Sequence, residues 1–246
     1  PEVAKSAMAS GVATRPIDDF TAYRRRLSDY VFQSGLLMKP MFERASQNTK
    51  RVVYGDGEDE RVLQAVQVVI DDGLARPILI GRRRVVEMRI ERLGLRLKLD
   101  EQAELVDPED DPRFREYWQL YHSLMERRGI SPDRARQIVR TRNTVIAALM
   151  VKRGEADAML SGMVGKYHRQ LDYVNEVVGR RKGVRNLAAM NAIITPKGTL
   201  FLCDTYINQN PTAEQIAEMT VLAADELRRF GITPKVALLS HSNFGT

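Results

Sequence analysis

From residue 51 onward the chain alternates between short runs of consecutive apolar positions and longer runs in which apolar positions recur every three or four residues. The short runs, such as RVVY at 51–54, RPILI at 76–80 and ADAML at 156–160, are typical of strands buried on both faces. The periodic runs between them are typical of helices that bury one face. This alternation predicts an α/β fold with a mostly parallel sheet and helices on both faces.

Helix and strand boundaries follow from capping residues and glycines. The helices are predicted over 18–32, 58–73, 82–94, 112–128, 132–153, 166–178 and 210–231. The strands are predicted over 51–57, 76–81, 103–108, 156–162, a hairpin of 184–195 with 199–204, and 234–240. Ser131 and Pro132 favour a helix start, and Thr212 with Gln215 has the spacing of a capping box.

Composition narrows the class of protein. The chain has 246 residues, of which 43% are hydrophobic, 28% charged and 7% aromatic, and its net charge is +6. The basic residues are dispersed among acids and aromatic residues are scarce, which disfavours a nucleic acid partner. No run approaches the roughly 18 apolar residues of a membrane span. With no apolar signal segment and the single cysteine Cys203, which we expect to be buried and inert, a cytoplasmic protein is predicted.

The loops that follow the predicted strands are the expected ligand-binding region, because ligands of parallel sheets bind beyond the carboxyl ends of the strands. These loops are 54–58, 80–83, 161–169, 203–211 and 240–245. The sequence YGDGEDER at 54–61 lacks the third glycine of a dinucleotide fingerprint, which favours a structural role for its glycines.

The stretch SGMVGKYHRQ at 161–170 is the best-placed candidate for an anion or acyl-coenzyme site. Its glycines permit close backbone approach, the following helix presents free N–H groups, and its cations add charge. The candidate ligand-binding residues here are Ser161, Gly162, Gly165, Lys166, Tyr167 and Arg169. The alternative is an ordinary solvated first helical turn. His168 has no second histidine four residues later, so this helix offers no metal-binding pair.

Two further candidates lie elsewhere. Arg142 shares the apolar face of the predicted 132–153 helix, which suggests a cation at the rim of a cleft, although its side chain could also extend to solvent. Asn208 and Asn210 follow a strand end and could contact a ligand, although asparagine is also a common turn residue. Ser240 and His241 are adjacent, which does not make a catalytic triad, so no catalytic residue is assigned.

Several stretches together resemble the phosphate acetyltransferase, or phosphotransacetylase, family. They are KRGEADAMLSGMVGKYHRQLDYVNEVVG and the segment from DTYINQNPT to HSNFGT. More narrowly, GMVGKY and SHSNFG are similar to the variant fused to the C-terminus of bacterial NADP-dependent malic enzymes. The N-terminal VAKSAMASGVATRPIDDFTAYRRRL resembles the end of the malic enzyme part of those fusions.

The resemblance implies a two-subdomain α/β architecture with a cleft that coenzyme A enters. It implies a malic enzyme tail and linker over 1–45, a first subdomain over 46–155 and a second over 156–246. The chain is then a piece of a longer protein, incomplete at its C-terminus, and the family's catalytic Ser-Arg and Asp lie beyond it. NADP and a divalent metal, Mg or Mn, would belong to the malic enzyme part before it.

The resemblance also implies a regulatory role. In the fused enzymes the domain is expected to sense acetyl-CoA as an inhibitor of malate oxidation and to help assemble a homo-oligomer. The SG motif continues here as Met163-Val164-Gly165-Lys166-Tyr167, unlike the small or hydroxyl residues of active acetyltransferases, which puts phosphate transfer in doubt. The alternatives are an active phosphate acetyltransferase and a purely structural oligomerisation module.

Overall fold

The computed structural model describes residues 2–195 and 197–239, and the side chains of these except at 25–26 and 28–37. The contacts divide the chain into two compact units, Phe42–Gly183 on the one hand and Pro1–Met41 with Val184–Thr246 on the other. The strands are β1 Lys50–Tyr54, β2 Ala75–Ile80, β3 Glu104–Val106, β4 Ala158–Leu160, β5 Met190–Thr195 and β6 Gly198–Cys203. The α-helices are α1 Glu2–Ala9, α2 Phe20–Gln47, α3 Glu60–Asp71, α4 Arg83–Arg92, α5 Phe114–Met125, α6 Pro132–Thr141, α7 Asn143–Arg153, α8 Tyr167–Val177 and α9 Ala213–Arg229. None of the helices in the described ranges is long and apolar enough to cross a membrane.

The unit 42–183 contains a four-stranded parallel sheet in the order β3-β2-β1-β4. Successive strand residues point to opposite faces of the sheet, so each strand contributes to two cores. Val53 and Ile78 belong to a core shared with α5, α6 and α7. Tyr54 and Leu79 belong to a second core shared with α3 and α4. Helices therefore cover both faces, and the predicted α/β fold is confirmed.

The predicted helix over 132–153 is in fact two helices. Arg142 adopts φ −129° and ψ 90°, an extended conformation that ends α6 and precedes α7. The apolar positions predicted to face inward are all buried: Ala135, Ile138, Val145, Ile146 and Leu149. Arg142 itself is exposed, so its predicted place on the apolar face was wrong. Residues 141–144 read Thr-Arg-Asn-Thr, and three of these four residue types are poor helix formers, which accounts for the break.

The other unit contains an antiparallel hairpin and a long helix. The predicted hairpin is confirmed, with Met190 paired to Cys203 and Thr195 to Gly198, although its first strand begins at Met190 and not at residue 184. Thr212 caps α9 in a capping box with Gln215, as predicted. Cys203 is exposed, so its predicted burial was wrong.

The strand predicted at 234–240 is absent from the described residues 232–239. A strand needs a neighbouring strand to satisfy its backbone groups, and no described strand pairs with this segment. Its apolar side chains are accordingly exposed, Val236 by 59% and Leu238 by 73%. The helix predicted at 18–32 is longer in the structure, where α2 continues through Pro40 to Gln47.

Strand β4 groups with the strands that precede it. Val52 of β1 pairs with Ala158 of β4, and α8 packs on α7, so residues up to 183 join the larger unit. The boundaries predicted at 45/46 and 155/156 divide the chain differently and stay a prediction about the longer protein.

Candidate functional site

A cleft of about 580 Å³ lies at the carboxyl edge of the parallel sheet, inside the unit 42–183. Loops after all four strands contribute to it: Asp56, Glu58 and Asp59 after β1, Arg82 after β2, Pro108 and Glu109 after β3, and Val164 after β4. Arg89 of α4, Arg140 of α6 and Asn143 of α7 complete the lining.

The structure brings together three of the loops selected from the sequence and adds one that was missed. The predicted loops 54–58, 80–83 and 161–169 each contribute to the cleft. The loop after β3 was not selected, because its short strand gave no polar motif that stood out. The loop 203–211 belongs to the other unit, and 240–245, with Ser240 and His241, lies outside the described residues.

Glycines let the strand-end loops pack directly against each other. The N–H of Gly57 donates to the carbonyl of Ile80 at 3.1 Å, and a Cβ built on Gly57 would lie 2.8 Å from the Ile80 backbone. A Cβ on Gly55 would lie 2.8 Å from Ser161 Oγ. The glycines of the YGDG segment therefore serve close packing.

Asp56 fastens the β1–α3 loop to the β4–α8 loop. Its Oδ2 accepts the N–H of Gly162 at 2.8 Å and the N–H of Met163 at 3.1 Å. Both N–H groups belong to the stretch 161–170 that was selected as a candidate anion site. An internal carboxylate occupies them instead.

Thr144 connects α7 with the same loop and with α8. It is 4% exposed and, apart from tyrosines, is the one polar residue found buried among the side chains that the structure describes. Thr144 Oγ1 lies 2.8 Å from Ser161 Oγ and also bonds Gln170 Oε1. Gln170 Nε2 donates to the carbonyl of Val164 at 2.9 Å. Neither Thr144 nor Gln170 was selected from the sequence, since nothing local distinguishes them.

Two of the four carboxylates that line the cleft are paired with arginines. Arg82 donates Nε to Oε1 and Nη2 to Oε2 of Glu58, both at 2.9 Å. This ion pair lowers the pKa of Glu58 despite partial burial and raises the pKa of Arg82. Hydrogen bonds from the Arg61 side chain lower the pKa of Asp59 to about 2. Guanidinium groups thus balance Glu58 and Asp59, whereas Asp56 accepts backbone N–H groups and Glu109 has no ion pair among the described residues.

Arg140 differs from the other two cations of the cleft, because Arg82 pairs with the Glu58 carboxylate and Arg89 donates to the Glu58 carbonyl. Its guanidinium lies over the Phe114 ring, 4.6 Å from the centroid, and no carboxylate in the described part of the chain pairs with it. One helical turn earlier, Arg136 lies 4.2 Å over the Trp118 ring but does not line the cleft. Arg140 thus stands where Arg142 was predicted to stand, two residues away in the sequence.

The predicted residues after β4 lie together on one exposed segment. Ser161, Gly162, Gly165, Lys166, Tyr167 and Arg169 are all exposed. Gly162 and Gly165 have φ of 116° and 99°, a backbone region that favours glycine. Lys166 is the N-cap of α8, with no side-chain cap hydrogen bond. Of this segment only Val164 lines the cleft.

The two predicted asparagines belong to the other unit. Asn208 Nδ2 donates to Asp204 Oδ2 at 2.7 Å and to the Leu187 carbonyl at 2.8 Å, so its amide stabilises its own loop. Asn210 is exposed in the same loop. Among the residues that the structure describes, no three His, Cys, Asp or Glu side chains gather as a metal site requires.

Comparisons with known proteins place the chain in a family. The profile described as phosphate acetyl/butaryl transferase matches residues 36–246. The chain is 54% identical over its whole length to an NADP-dependent malic enzyme of Salmonella typhimurium and 52% identical to that of Escherichia coli. It covers 32% of each of these proteins, so it spans about a third of their length.

Acetyltransferases are also similar to the chain. It is 32% identical over 217 residues to a phosphate acetyltransferase of Nitratidesulfovibrio vulgaris, covering 88% of the chain and 30% of that protein. The solved EutD phosphotransacetylase of Staphylococcus aureus superposes with a TM-score of 0.75 at 23% identity, over 84% of this chain and 61% of that one. From residue 36 to its end, and in its fold, the chain belongs to the phosphate acetyl/butaryl transferase family.

Proposed function

We propose that this chain is the phosphotransacetylase-like regulatory domain of an NADP-dependent malic enzyme, and that it binds acetyl-CoA as an allosteric inhibitor. The malic enzymes of Salmonella typhimurium and Escherichia coli, which match the chain from end to end, support the first part. The cleft at the carboxyl edge of the sheet supports the second, because it is where parallel sheets bind ligands.

The observation that carries the ligand class is Arg140. Its guanidinium is held over Phe114 at the cleft without a carboxylate partner among the described side chains. Stacking on an aromatic ring limits the conformations of the arginine, so less entropy is lost when it binds an anion. A guanidinium can bond a phosphate with two parallel N–H groups, which suits the phosphates of acetyl-CoA.

Three of the four carboxylates that line the cleft have partners within the chain, and the fourth, Glu109, has no ion pair among the described residues. Arg82 balances Glu58, Arg61 balances Asp59, and two backbone N–H groups bond Asp56. The phosphate therefore binds at the Arg140 end of the cleft, and the volume of about 580 Å³ lies in the usual range of small-molecule sites. NADP and the divalent metal, Mg or Mn, are assigned to the malic enzyme part, and no residue above is given a role in holding them.

The regulatory effect follows from linkage. If acetyl-CoA binds one conformer of the longer protein more tightly than another, it shifts the population toward that conformer by its differential affinity. A homo-oligomer would couple the domains of several subunits, and we propose self-association on this ground.

Replacing Arg140 by alanine in the full-length protein tests the site. Acetyl-CoA affinity, measured by isothermal titration calorimetry, should fall roughly 10- to 100-fold, the loss expected for a hydrogen-bonded charge. The inhibition of NADP-dependent malate oxidation should shift to proportionally higher acetyl-CoA concentration.

Arg136→Ala is the matched control. Arg136 lies on the same helix, one turn earlier, and is also stacked on an aromatic ring, but it is outside the cleft and pairs with Asp133. Its affinity for acetyl-CoA should equal that of the wild type. Equal losses in both variants, or a wild-type protein that does not bind acetyl-CoA, would contradict the proposal.

The similarity to the Nitratidesulfovibrio vulgaris phosphate acetyltransferase favours a second candidate, a working acetyltransferase. Acetyl phosphate formation from acetyl-CoA and phosphate by the full-length protein distinguishes the two. Turnover at roughly 1 to 10³ per second would favour the enzyme, and its absence alongside acetyl-CoA binding would favour the regulator. A protein that binds no acetyl-CoA but loses assembly when this domain is deleted would be a structural module.

A further inference from the structure

The loop between β4 and α8 is held by a chain of hydrogen bonds that starts in the protein core. Thr144 is buried, and a buried hydroxyl without a partner would be costly. Its two partners, Ser161 and Gln170, belong to the loop and to the first turn of α8. The buried threonine therefore connects the core to the exposed segment that contains the candidate ligand residues.

The acceptor at one end of this series of hydrogen bonds determines which atom is the donor in each of them. The Val164 carbonyl only accepts, so it must face the Nε2 group of Gln170, which turns Oε1 toward Thr144. Oε1 also only accepts, so Thr144 donates its single proton to it. Ser161 must then donate its own proton to Thr144 Oγ1.

We infer that Thr144 and Gln170 are positioning residues that hold the β4–α8 loop and orient the Ser161 hydroxyl so that it presents only lone pairs to a ligand. Ser161 in this state accepts a hydrogen bond from an N–H group and cannot donate one to a phosphate. Acetyl-CoA carries amide N–H groups, and its phosphates are assigned to Arg140. The inference rests on the proposed function for the ligand, but its effect on the loop does not depend on a ligand.

Two substitutions at Thr144 separate the hydroxyl from the packing. Thr144→Val keeps both branches of the side chain and removes the hydroxyl, and Thr144→Ser keeps the hydroxyl and removes the buried methyl group. In the full-length protein, Thr144→Val should weaken acetyl-CoA binding roughly 5- to 10-fold by calorimetry, and Thr144→Ser should stay within about twofold of wild type. A role in packing alone would give the opposite order and overturn the inference.

Gln170→Met and Ser161→Ala test the other side chains in the same series of hydrogen bonds. Gln170→Met should match Thr144→Val, and the double variant should bind about as weakly as either single variant, because both break one connection. Ser161→Ala should weaken binding roughly 2- to 10-fold through the lost acceptor. Additive losses in the double variant, or wild-type affinity in Ser161→Ala, would count against the inference.

Hydrogen exchange without ligand separates this inference from the proposed function. Backbone amides of residues 160–166 should exchange faster in Thr144→Val than in wild type or Thr144→Ser. Unchanged exchange in Thr144→Val overturns the positioning role even if acetyl-CoA binds as proposed. Faster exchange in a protein that does not bind acetyl-CoA retains the positioning role and removes the proposed function.

Discussion

The Asp56 carboxylate accepts the N–H of Gly162 at 2.8 Å, joining two loops whose residues are 106 positions apart in the chain. The same oxygen, Oδ2, accepts the N–H of Met163, so one atom of one side chain anchors the start of the β4–α8 loop. The contact places a negative charge on backbone donors that would otherwise be free for a ligand. By anchoring the loop, Asp56 should favour the binding of an anionic ligand, whereas its negative charge should oppose that binding.

Substitutions of Asp56 separate the two effects. Asp56→Asn can keep an oxygen on both N–H groups while removing the charge, and we expect acetyl-CoA affinity at or above that of wild type. Asp56→Ala removes the anchor, and we expect affinity to fall roughly 3- to 10-fold. Calorimetry on the full-length protein measures both. A loss in Asp56→Asn as large as that in Asp56→Ala would mean that the charge itself is needed.

Acidic pH should lower the free energy of unfolding, because the Glu58 carboxylate becomes protonated. Arg82 lowers the pKa of Glu58, so the ionised carboxylate stabilises the fold above the ordinary glutamate pKa of about 4.3. This stabilisation is lost as pH falls through the lowered value, where the folded state must take up a proton. Between about pH 5 and pH 3, the free energy of unfolding should therefore fall more in wild type than in Glu58→Gln.

Urea unfolding at the two pH values measures this difference. Glu87→Gln is a suitable control, since Glu87 is an exposed partner of Arg83 on α4 and lies outside the cleft. Its pH dependence should match that of wild type. Identical pH dependence in wild type and Glu58→Gln would show that the ion pair with Arg82 contributes no net stability.

Alanine at Gly57 should destabilise the chain more than alanine at Gly55. A Cβ at Gly57 would meet the Ile80 backbone, which cannot move without disturbing β2, and overpacking of this kind costs about 1–3 kcal/mol. A Cβ at Gly55 would meet the Ser161 side chain, which can move only at the cost of its hydrogen bond to Thr144 but without displacing a strand backbone. The midpoints of urea unfolding should rank wild type above Gly55→Ala and Gly55→Ala above Gly57→Ala. The reverse order for the two variants would contradict this account.

Cations at the start of α8 should contribute to acetyl-CoA inhibition. Lys166 and Arg169 are exposed at the helix N-terminus, where their charge adds to the dipole of α8. Lys166→Ala and Arg169→Ala should each raise the acetyl-CoA concentration for half-inhibition of malate oxidation by roughly two- to fivefold. Lys182→Ala, in the exposed basic loop 179–185, should leave this concentration unchanged. Equal shifts in all three variants would indicate a general charge effect and not a local site.

The sequence alone determined the class of fold and the edge of the sheet at which a site could form. Continuous apolar runs separated by amphipathic runs have few compact arrangements other than a parallel sheet covered by helices. The order of the elements was therefore sufficient to predict the class of fold. The capping box of Thr212 and Gln215 was equally predictable, because both residues lie within one helical turn. Local periodicity failed at Arg142, where the apolar positions continue in register across a break between two helices.

Only the tertiary structure decided which groups meet at that edge. Asp56 contacts Gly162, Arg82 pairs with Glu58, and Thr144 lies beneath Ser161 and Gln170, and each of these contacts joins residues from different loops or helices. Such contacts depend on strand order and on the angles between packed helices, and neither of these produces a periodic pattern in the sequence. The arginine of this helical region that lines the cleft is Arg140 and not Arg142 for the same reason, since the packing of α6 on α5 places residue 140 over Phe114.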